Sequence, residues 1–245
     1  MLISATIVTL NEERNIARAI KSLTCADEIV IVDSGSTDRT REIAADLGAR
    51  VIEEPWRGYA AQKNFATCSA AHDWILSLDA DEQLTPELAA EIAALKNTSS
   101  PCDGYSFPRL AQYLGRWIHH SGWYPDRKVR LYDRRKGKWV GDYVHESVQV
   151  EGSVGELQSN LLHFTCASLS EHLRTLDRYT TLAAKEVTRP VSFYRLVSGP
   201  PWTFIRAYVL QRGFLDGIHG LIIAVMASLY TFLKYAKAYE NPPSR

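Results

Sequence analysis

The sequence predicts an α/β protein with a Rossmann-like, mostly parallel sheet, a smaller antiparallel part and C-terminal amphipathic helices. The first hundred residues alternate between strand-like and helix-like segments, which is the pattern of βαβ units. Clusters of polar side chains follow three of the predicted strands, where α/β sheets bind their ligands. From residue 168 onward, the spacing of apolar residues is typical of helices.

The first half of the chain contains the predicted parallel strands and the helices that connect them. Four apolar, β-branched segments are the predicted strands: 2–10, 28–32, 50–53 and 74–78. Three segments with helical spacing are the predicted helices: 12–23, a helix capped by Ser36 or Thr37 that runs to Leu47, and a helix that opens at Thr85-Pro86 and runs to Leu95. Pro86 suits the first helical position and Gly48 suits a helix end.

After residue 97 the order of elements is less regular. Segments 105–109, 128–132 and 147–150 are expected to be strands of the antiparallel part. The helical pattern from 168 to 238 is expected to break at Gly199-Pro200-Pro201, because proline lacks the N–H that a helix interior needs.

The composition is that of a folded protein. The chain has 245 residues, of which 46% are hydrophobic and 23% charged. The 28 Lys and Arg residues balance the 28 Asp and Glu residues, so the net charge does not indicate nucleic acid as a partner. The four cysteines form no CxxC pair, which argues against a zinc site or a disulfide framework and suits a reducing cytosol. The N-terminus has no basic start followed by an apolar core, so we expect no secretory signal.

The C-terminal region combines an apolar segment with basic and aromatic side chains. Residues 217–233 carry no Asp, Glu, Lys or Arg, and their number is at the lower limit of about 17 to 25 for a membrane span. Glycines and hydroxyl side chains dilute the hydrophobicity of this segment, and basic residues such as Arg206, Arg212 and Lys234 lie around it. We predict helices that lie in the membrane interface; a packed helical core and a true span are the alternatives.

Three polar clusters lie at the carboxyl ends of predicted strands: Thr9-Leu10-Asn11-Glu12, Asp33-Ser34-Gly35-Ser36-Thr37-Asp38 and Asp79-Ala80-Asp81. Each cluster alone is explained as a turn or a helix cap, because Asn, Asp and Ser are common at both. Together, at consecutive strand ends, they predict a ligand site at the carboxyl edge of the sheet.

The third cluster predicts a cation site. Asp79 and Asp81 can approach one hard cation together, because Ala80 between them turns its side chain away. Magnesium and manganese prefer oxygen ligands and keep contacts to substrate phosphates. Such a cation suits a reaction in which a nucleoside diphosphate leaves, since it neutralises the developing charge. Asp33, without a cation beside it in sequence, suits a hydrogen bond from a base N–H or a ribose hydroxyl.

Three stretches together resemble the inverting family-two glycosyltransferases, which have the GT-A fold: ATIVTLNEERNIARAIKSL, DEIVIVDSGSTDRTREIA and WILSLDADEQLTPEL. The likeness covers residues 1–95 in order and register. It implies that Thr9 and Glu12 line the nucleotide pocket and that Asp33 contacts uracil. It also implies that Asp79 contacts the nucleotide and that Asp81 binds the divalent metal, magnesium or manganese.

Three further residues complete the predicted nucleotide-sugar site. Asn11 and Ala80 belong to the same polar clusters. Lys63, in YAAQKNFA, falls where the family often has a basic residue near the nucleotide; an ordinary surface lysine is the alternative.

The remainder resembles a narrower subgroup, the lipopolysaccharide core β-1,4-glucosyltransferases that act on inner-core heptose. The segments that carry this likeness are GWYPDRKVRLYDRRKGKWVGDYVHESVQVEG and RAYVLQRGFLDGIHGL. The likeness implies UDP-glucose as donor, a lipid A–core heptose as acceptor, and a peripheral position on the cytoplasmic face of the bacterial inner membrane. It divides the chain into a catalytic domain, 1–165, with donor half 1–96 and acceptor half 97–165, and a membrane-associating region, 166–245.

An inverting displacement needs a base that takes the proton of the acceptor hydroxyl. The subgroup's His-Glu pair makes Glu146 the first candidate, with His145 orienting it or reaching the diphosphate. Asp126 is the second candidate base. The alternative for Glu146 is an ordinary strand residue that pairs with Arg130 or Lys128.

Arg127 and Arg130, on one predicted strand, are expected to share a face and clamp a phosphate. Surface ion pairs are the alternative for both, and such pairs contribute little to stability.

Three other functions remain open at this stage. A transferase of the same fold that glycosylates a polyprenyl phosphate would share the nucleotide site. A non-catalytic nucleotide-sugar-binding module is disfavoured because all the acidic residues are present. A nucleotidyltransferase is disfavoured because TLNEERN contains no glycine for a phosphate loop.

Overall fold

A computed structural model of the protein describes residues 1–97, 102–141, 146–188 and 190–240. The chain forms two compact units, Met1–Arg109 with Arg127–His163 and Leu110–Asp126 with Phe164–Arg245. The domain boundary after residue 165 stays a prediction.

The described residues contain strands and helices with the following bounds. The strands are β1 (Ile3–Thr9), β2 (Glu28–Asp33), β3 (Arg50–Glu53), β4 (Trp74–Asp79), β5 (Glu82–Leu84), β6 (Gly104–Tyr113), β7 (Arg116–Trp117), β8 (Asp126–Asp133), β9 (Gly137–Val140), β10 (Ser147–Val150), β11 (Val154–Glu156) and β12 (Leu161–Cys166). The helices are α1 (Ile16–Ser22), α2 (Thr40–Asp46), α3 (Tyr59–Ser69), α4 (Pro86–Lys96), α5 (Leu169–Lys185), α6 (Phe193–Ile205) and α7 (Ile218–Glu240).

The larger sheet places the three polar clusters at one edge. Its strands follow the order β3-β2-β1-β4-β8-β6-β12-β5. Strand β1 runs parallel to β2 and β4, whereas β8 runs antiparallel to β4. In this register Thr9 lies opposite Asp33, and Val8 lies opposite Asp79. The predicted mostly parallel sheet with a smaller antiparallel part is therefore confirmed, and β9 and β10 form a separate antiparallel pair.

Apolar strand residues and one face of each packing helix form the core of the first unit. In α1, Ile16, Ala19 and Ile20 are buried, which is the spacing of a single helix face. Helix α4 begins as predicted, because Thr85 Oγ1 accepts a hydrogen bond from Leu88 N–H at 3.2 Å and Pro86 follows it.

Helix α3 was not predicted, because its buried face is polar. Gln62, Lys63 and Thr67 point inward together with Ala66, so the segment lacks the apolar stripe that identifies a helix in sequence. Helix α2 begins at Thr40 rather than beside Ser36 or Thr37. Those two hydroxyl residues hydrogen-bond to the first two polar clusters instead.

The second unit is held together by polar contacts as well as by apolar packing. Ser168 caps α5, since its Oγ accepts a hydrogen bond from Glu171 N–H at 3.1 Å. Lys237 of α7 donates to the carboxylate and the carbonyl of Asp177 in α5, at 2.7 and 2.8 Å. These contacts connect α7, the last helix of the second unit, to α5, its first helix.

The predicted helix break at Gly199-Pro200-Pro201 is wrong. Both prolines lie inside α6, and the chain leaves helical geometry later, through a π-helical turn at Arg206–Leu210 and a 3₁₀ turn at Gly213–Asp216. Two side chains also bind carbonyls at this point of the helix: Thr203 Oγ1 donates to the Gly199 carbonyl at 3.0 Å, and Ser228 Oγ of α7 donates to the Pro200 carbonyl at 2.9 Å.

The predicted apolar helix is present in the second unit as α7. Among the described residues it is the one helix long and apolar enough to cross a membrane, which by itself is a weak indication of a span. Only 22% of its most apolar window is buried, so the helix is not enclosed as a core helix would be.

Candidate active site

The ends of β1 and β2 are joined by hydrogen bonds between the first two polar clusters. Asn11, with φ of 56°, donates its N–H to Ser36 Oγ at 2.8 Å and accepts from Thr37 N–H at 2.8 Å. The N–H of Glu12 donates to Thr40 Oγ1 at 2.8 Å. The clusters that the sequence places at separate strand ends therefore form one loop assembly.

Asp33 is the centre of its own turn. Its side chain is fully buried and accepts from Gly35 N–H at 3.0 Å, from Ser36 N–H at 2.8 Å and from Ser36 Oγ. Arg41 Nε lies 3.8 Å from Asp33 Oδ1, so the carboxylate has a cationic neighbour that the sequence analysis did not predict. This geometry supports a turn-stabilising role, and recognition of a base by Asp33 stays a prediction.

Thr9 has a free hydroxyl close to this turn. The residue is buried, and its Oγ1 has no hydrogen-bond partner within the part of the chain that the structure describes. A buried hydroxyl without a partner is costly, so a bound polar group that paired with it would be stabilised.

The third cluster lies in a network of buried charges. Asp79 Oδ1 is 2.7 Å from Lys63 Nζ, and Asp79 Oδ2 is 2.6 Å from Arg130 Nη2. Lys63 and Arg130 are both almost fully buried, which rules out the surface alternative for Lys63. Buried cations of this kind are held by opposite charges, because burial without a partner costs several kcal/mol, on the order of 3–5.

The charges in this network fix the protonation states. Burial alone would raise the pKa of Asp79, but the neighbouring Arg130 and Lys63 hold that pKa well below its usual range. Burial would lower the pKa of Arg130, and Asp79 and Glu82 raise it instead. Asp79 is therefore an anion and Arg130 a cation throughout the physiological pH range.

Glu82 is a member of this network that the sequence analysis did not identify. It is fully buried, and its Oε1 accepts from Arg130 Nη2 at 2.7 Å and from Arg109 Nη1 at 3.3 Å. Its other carboxylate oxygen accepts from Asp79 N–H at 2.9 Å. Glu82 thus fixes the backbone of the Asp79-Ala80-Asp81 loop. In the sequence, only its position directly after that loop could have indicated this role.

Glu146 is connected to Asp79 through Lys63. Its Oε1 lies 3.3 Å from Lys63 Nζ, and the lysine nitrogen also lies 4.2 Å from the centre of the Trp139 ring. The structure thus brings together Lys63, Asp79 and Glu146, which are far apart in sequence. Lys63 is the cation that pairs with Glu146, rather than Lys128 or Arg130.

Asp81 has a partner that the sequence analysis missed. His163 Nε2 in β12 lies 3.2 Å from Asp81 Oδ2. Strand β12 reaches Asp81 because it pairs antiparallel with β5, which follows the acidic loop. No sequence pattern connects residues 81 and 163, since the pairing of distant strands decides their contact.

Asp81 and His163 fit a divalent cation that shares its ligands with a substrate. The described residues contain no group of three or more His, Cys, Asp or Glu side chains placed to hold a metal ion. One carboxylate and one imidazole leave the remaining positions of a cation to phosphate oxygens and water, as magnesium and manganese often require. Asp79 is not available to this cation in the same way, because both of its oxygens pair with Lys63 and Arg130.

Arg127 and Arg130 do not form the predicted phosphate clamp. They are three positions apart on β8, so their side chains leave opposite faces of the strand. Arg127 donates to the Leu157 carbonyl at 3.0 Å and to Gln158 Oε1 at 3.3 Å, whereas Arg130 points into the acidic network. The strand period therefore overturns the expectation of a shared face.

Two candidates for the base chemistry stay predictions. Asp126 is the first residue of β8 and belongs to the second unit. His145 lies outside the described residues. Ala80 is buried between the two aspartates, as expected of a spacer.

Comparison with known proteins assigns the class. The sequence model of the family described as Glycosyl transferase family 2 matches residues 4–148 of this chain. These residues include all three polar clusters and Glu146. The chain belongs to glycosyl transferase family 2, and the GT-A fold predicted from its sequence is confirmed.

Two relatives are similar over almost their whole length. The lipopolysaccharide core biosynthesis glycosyltransferase LpsC of Rhizobium meliloti (strain 1021) is 36% identical over 98% of this chain and 92% of its own. An uncharacterized glycosyltransferase of Rickettsia felis (strain ATCC VR-1525 / URRWXCal2) is 34% identical over 98% of this chain and 90% of its own.

A solved structure supports the fold. The crystal structure of S. aureus TarS 1-349 in complex with UDP matches with a TM-score of 0.50, at 16% identity, over 98% of this chain and 90% of that one. At this identity the likeness concerns the fold alone.

We predict that Arg130→Met destabilises the protein by about 3 kcal/mol, because it leaves Asp79 and Glu82 buried with less compensating charge. The matched change Arg135→Met removes a guanidinium whose side chain is 64% exposed and which pairs with Asp133. That control should leave the midpoint of urea unfolding almost unchanged. Equal midpoint shifts in the two variants would show that the buried network is not a principal source of stability.

Proposed function

We propose that the protein transfers a hexose, glucose in the first instance, from a UDP-sugar to an inner-core heptose of lipopolysaccharide. The observation that carries the proposal is the meeting of three groups at the sheet edge: the Asp81–His163 pair, the ion-paired Asp79, and Glu146 on Lys63. The likeness to LpsC, whose name assigns it to lipopolysaccharide core biosynthesis, supports the acceptor class.

In this proposal the donor occupies the carboxyl edge of β1, β2 and β4. The Thr9 to Glu12 loop and the Asp33 turn border the nucleoside, and Asp79 contacts the nucleotide. Asp81 and His163 would hold a magnesium or manganese ion, which when bound supplies positive charge beside the departing diphosphate. His163 is thus added to the residues predicted from sequence.

Glu146 is proposed as the base. Its carboxylate takes the proton of the acceptor hydroxyl while that oxygen attacks the anomeric carbon of the donor. The bond between the anomeric carbon and the diphosphate oxygen breaks on the opposite face, so the configuration inverts and UDP leaves with the bonding pair. The contact of 3.3 Å to Lys63 Nζ holds the Glu146 carboxylate in position for this step.

Lys63 and Arg130 are proposed as positioning residues rather than as phosphate ligands. Together they fix both oxygens of Asp79, at 2.7 and 2.6 Å, and so restrict the loop that carries Asp81. Buried, ion-paired charges hold their geometry well because rotation of either side chain would leave a charge without its partner.

The second unit is proposed to bind the cytoplasmic face of the inner membrane. Residues 187–215 contain four arginines and no Asp or Glu. Large apolar side chains on this stretch point to solvent, with Phe193 81%, Tyr194 76% and Trp202 57% exposed. Exposed aromatic rings among arginines are typical of helices that lie in an anionic membrane interface.

We predict that Glu146→Gln abolishes sugar transfer and leaves UDP binding intact, because the amide keeps the shape but cannot accept the proton. The measurement is transfer from UDP-glucose to truncated lipopolysaccharide, with UDP affinity by calorimetry. Glu151→Gln, at an exposed glutamate, is the matched control and should transfer normally. If Glu146→Gln turned over like wild type while Asp126→Asn did not, Asp126 would replace Glu146 as the base.

We predict that Asp81→Asn weakens metal-dependent UDP binding by at least about 10-fold, because one charged ligand of the cation is lost. His163→Asn should produce a smaller loss of the same kind. Chelation of divalent metal should lower UDP affinity in wild type and have little further effect in Asp81→Asn. Transfer that was equally fast with chelator and in Asp81→Asn would refute the metal assignment.

We predict that replacing Arg195, Arg206 and Arg212 by Gln lowers binding to phosphatidylglycerol vesicles roughly 100-fold, at about 1 kcal/mol for each charge near the surface. Binding to phosphatidylcholine vesicles should change little. Replacing Phe193, Tyr194 and Trp202 by Ser should weaken binding to both kinds of vesicle. Leu2→Ser with Val154→Ser, at exposed apolar residues of the first unit, is the control, and an equal loss there would contradict the proposed surface.

A further inference from the structure

A basic groove of about 560 Å³ lies in the first unit, on the side of α1. Its lining comes from α1 and the residues flanking it, from β5 and from the start of α4. Three of the lining residues are cations, Arg14, Arg18 and Lys21, and none is an aspartate or a glutamate. Such a concave surface with charge of one sign attracts an anion.

The helix geometry lines up the three cations. Positions 14, 18 and 21 are four and three residues apart, which places them on one face of a helical segment. The opposite face carries the buried Ile16 and Ile20. The row extends over eight residues, from Arg14 in the turn before α1 to Lys21 within it, or about 10 Å along the helical segment.

The basic groove is held rigidly against β5. Ser22 Oγ accepts a hydrogen bond from Leu84 N–H at 3.1 Å and donates to the Ala19 carbonyl at 2.7 Å. These bonds fix the end of α1 to the strand that follows the Asp79-Ala80-Asp81 loop. The row of cations is therefore positioned by the same strand that positions the acidic loop.

The middle cation of the row, Arg18, lies within the electrostatic influence of the proposed metal ligand Asp81. Arg18 is half-buried; burial lowers its pKa, while the charges of Asp81 and Glu12 act in the opposite direction. Arg14 and Lys21, which flank Arg18 on either side, are exposed, and neither has an ion-pair partner within the described residues. Two of the three cations are thus not neutralised by the protein itself.

We infer that the basic groove binds an acidic group, a phosphate or a carboxylate, of the acceptor saccharide. This inference rests on the proposed function, because it assumes that a saccharide acceptor meets the donor beside Asp81. The donor's own negative charge is concentrated on its diphosphate, which the cation on Asp81 and His163 would meet. The diphosphate is thus already neutralised by that cation, and a row of cations about 10 Å long remains for a second anionic group.

The test uses Arg14→Gln with Lys21→Gln, which removes the two exposed cations and leaves Arg18 beside Asp81 intact. With a phosphorylated core oligosaccharide as acceptor, KM for the acceptor should rise about 10-fold, as expected for lost charge-assisted hydrogen bonds. The donor KM and kcat should stay at the wild-type values. With the same oligosaccharide after phosphatase treatment, wild type and variant should behave alike if the bound group is a phosphate. If the difference persists, the bound group is a carboxylate.

The matched control is Arg39→Gln with Lys136→Gln, which removes the same charge from exposed sites of the first unit. An equal rise in acceptor KM in the control would overturn the inference, since it would reflect net charge alone. An unchanged acceptor KM in the groove variant, or a rise in donor KM instead, would also overturn it.

A binding measurement separates this inference from the proposed function. With UDP and magnesium filling the donor site, inorganic phosphate is titrated while the amide and guanidinium NMR signals of residues 14–21 are followed. Saturable shifts in wild type that vanish in the groove variant support the basic groove even if no lipopolysaccharide acceptor is used. Absence of such shifts in wild type that does transfer sugar to phosphorylated core would refute the groove and leave the proposed function standing.

Discussion

The buried guanidinium of Arg130 is the constraint on which the active site depends. It lies between Asp79 and Glu82, at 2.6 and 2.7 Å, in a region almost without solvent. Because a buried charge is tolerated only with its partners in place, the strand β8 must hold the acidic loop at a fixed distance from the sheet. The parallel and antiparallel parts of the sheet are thereby joined at the point where chemistry is proposed.

Around Arg130, the contacts of each side chain determine the role that we propose for it. Lys63 of α3 pairs with both Asp79 and Glu146 and lies over the Trp139 ring. Helix α3 thereby positions Glu146, the proposed base. Asp81 contacts His163, and in the proposed function the two residues would bind a cation that also contacts the donor's phosphates. Positively charged groups therefore support the carboxylates here, and the basic groove along α1 offers two cations, Arg14 and Lys21, that have no ion-pair partner among the described residues.

The two units differ in what they expose. The first buries its apolar residues beneath the sheet, while the second leaves many of them on the surface among arginines. A protein whose acceptor is anchored in a membrane would gain from this arrangement, since binding to the surface confines the search for acceptor to two dimensions.

The sequence by itself determined the class of fold, the strands β1 to β4 and the three polar clusters, because apolar periodicity and strand-end turns are local properties. It indicated Asp79, Asp81 and Glu146 through short motifs. Only the tertiary structure decided that Lys63 and Arg130 are buried partners of Asp79, and that Glu82 and His163 belong to the site. Helix α3, whose buried face is polar, escapes prediction from sequence for the same reason. Distant strands and helices supply the partners that make buried polar groups tolerable, and no local pattern records which partner each group will meet.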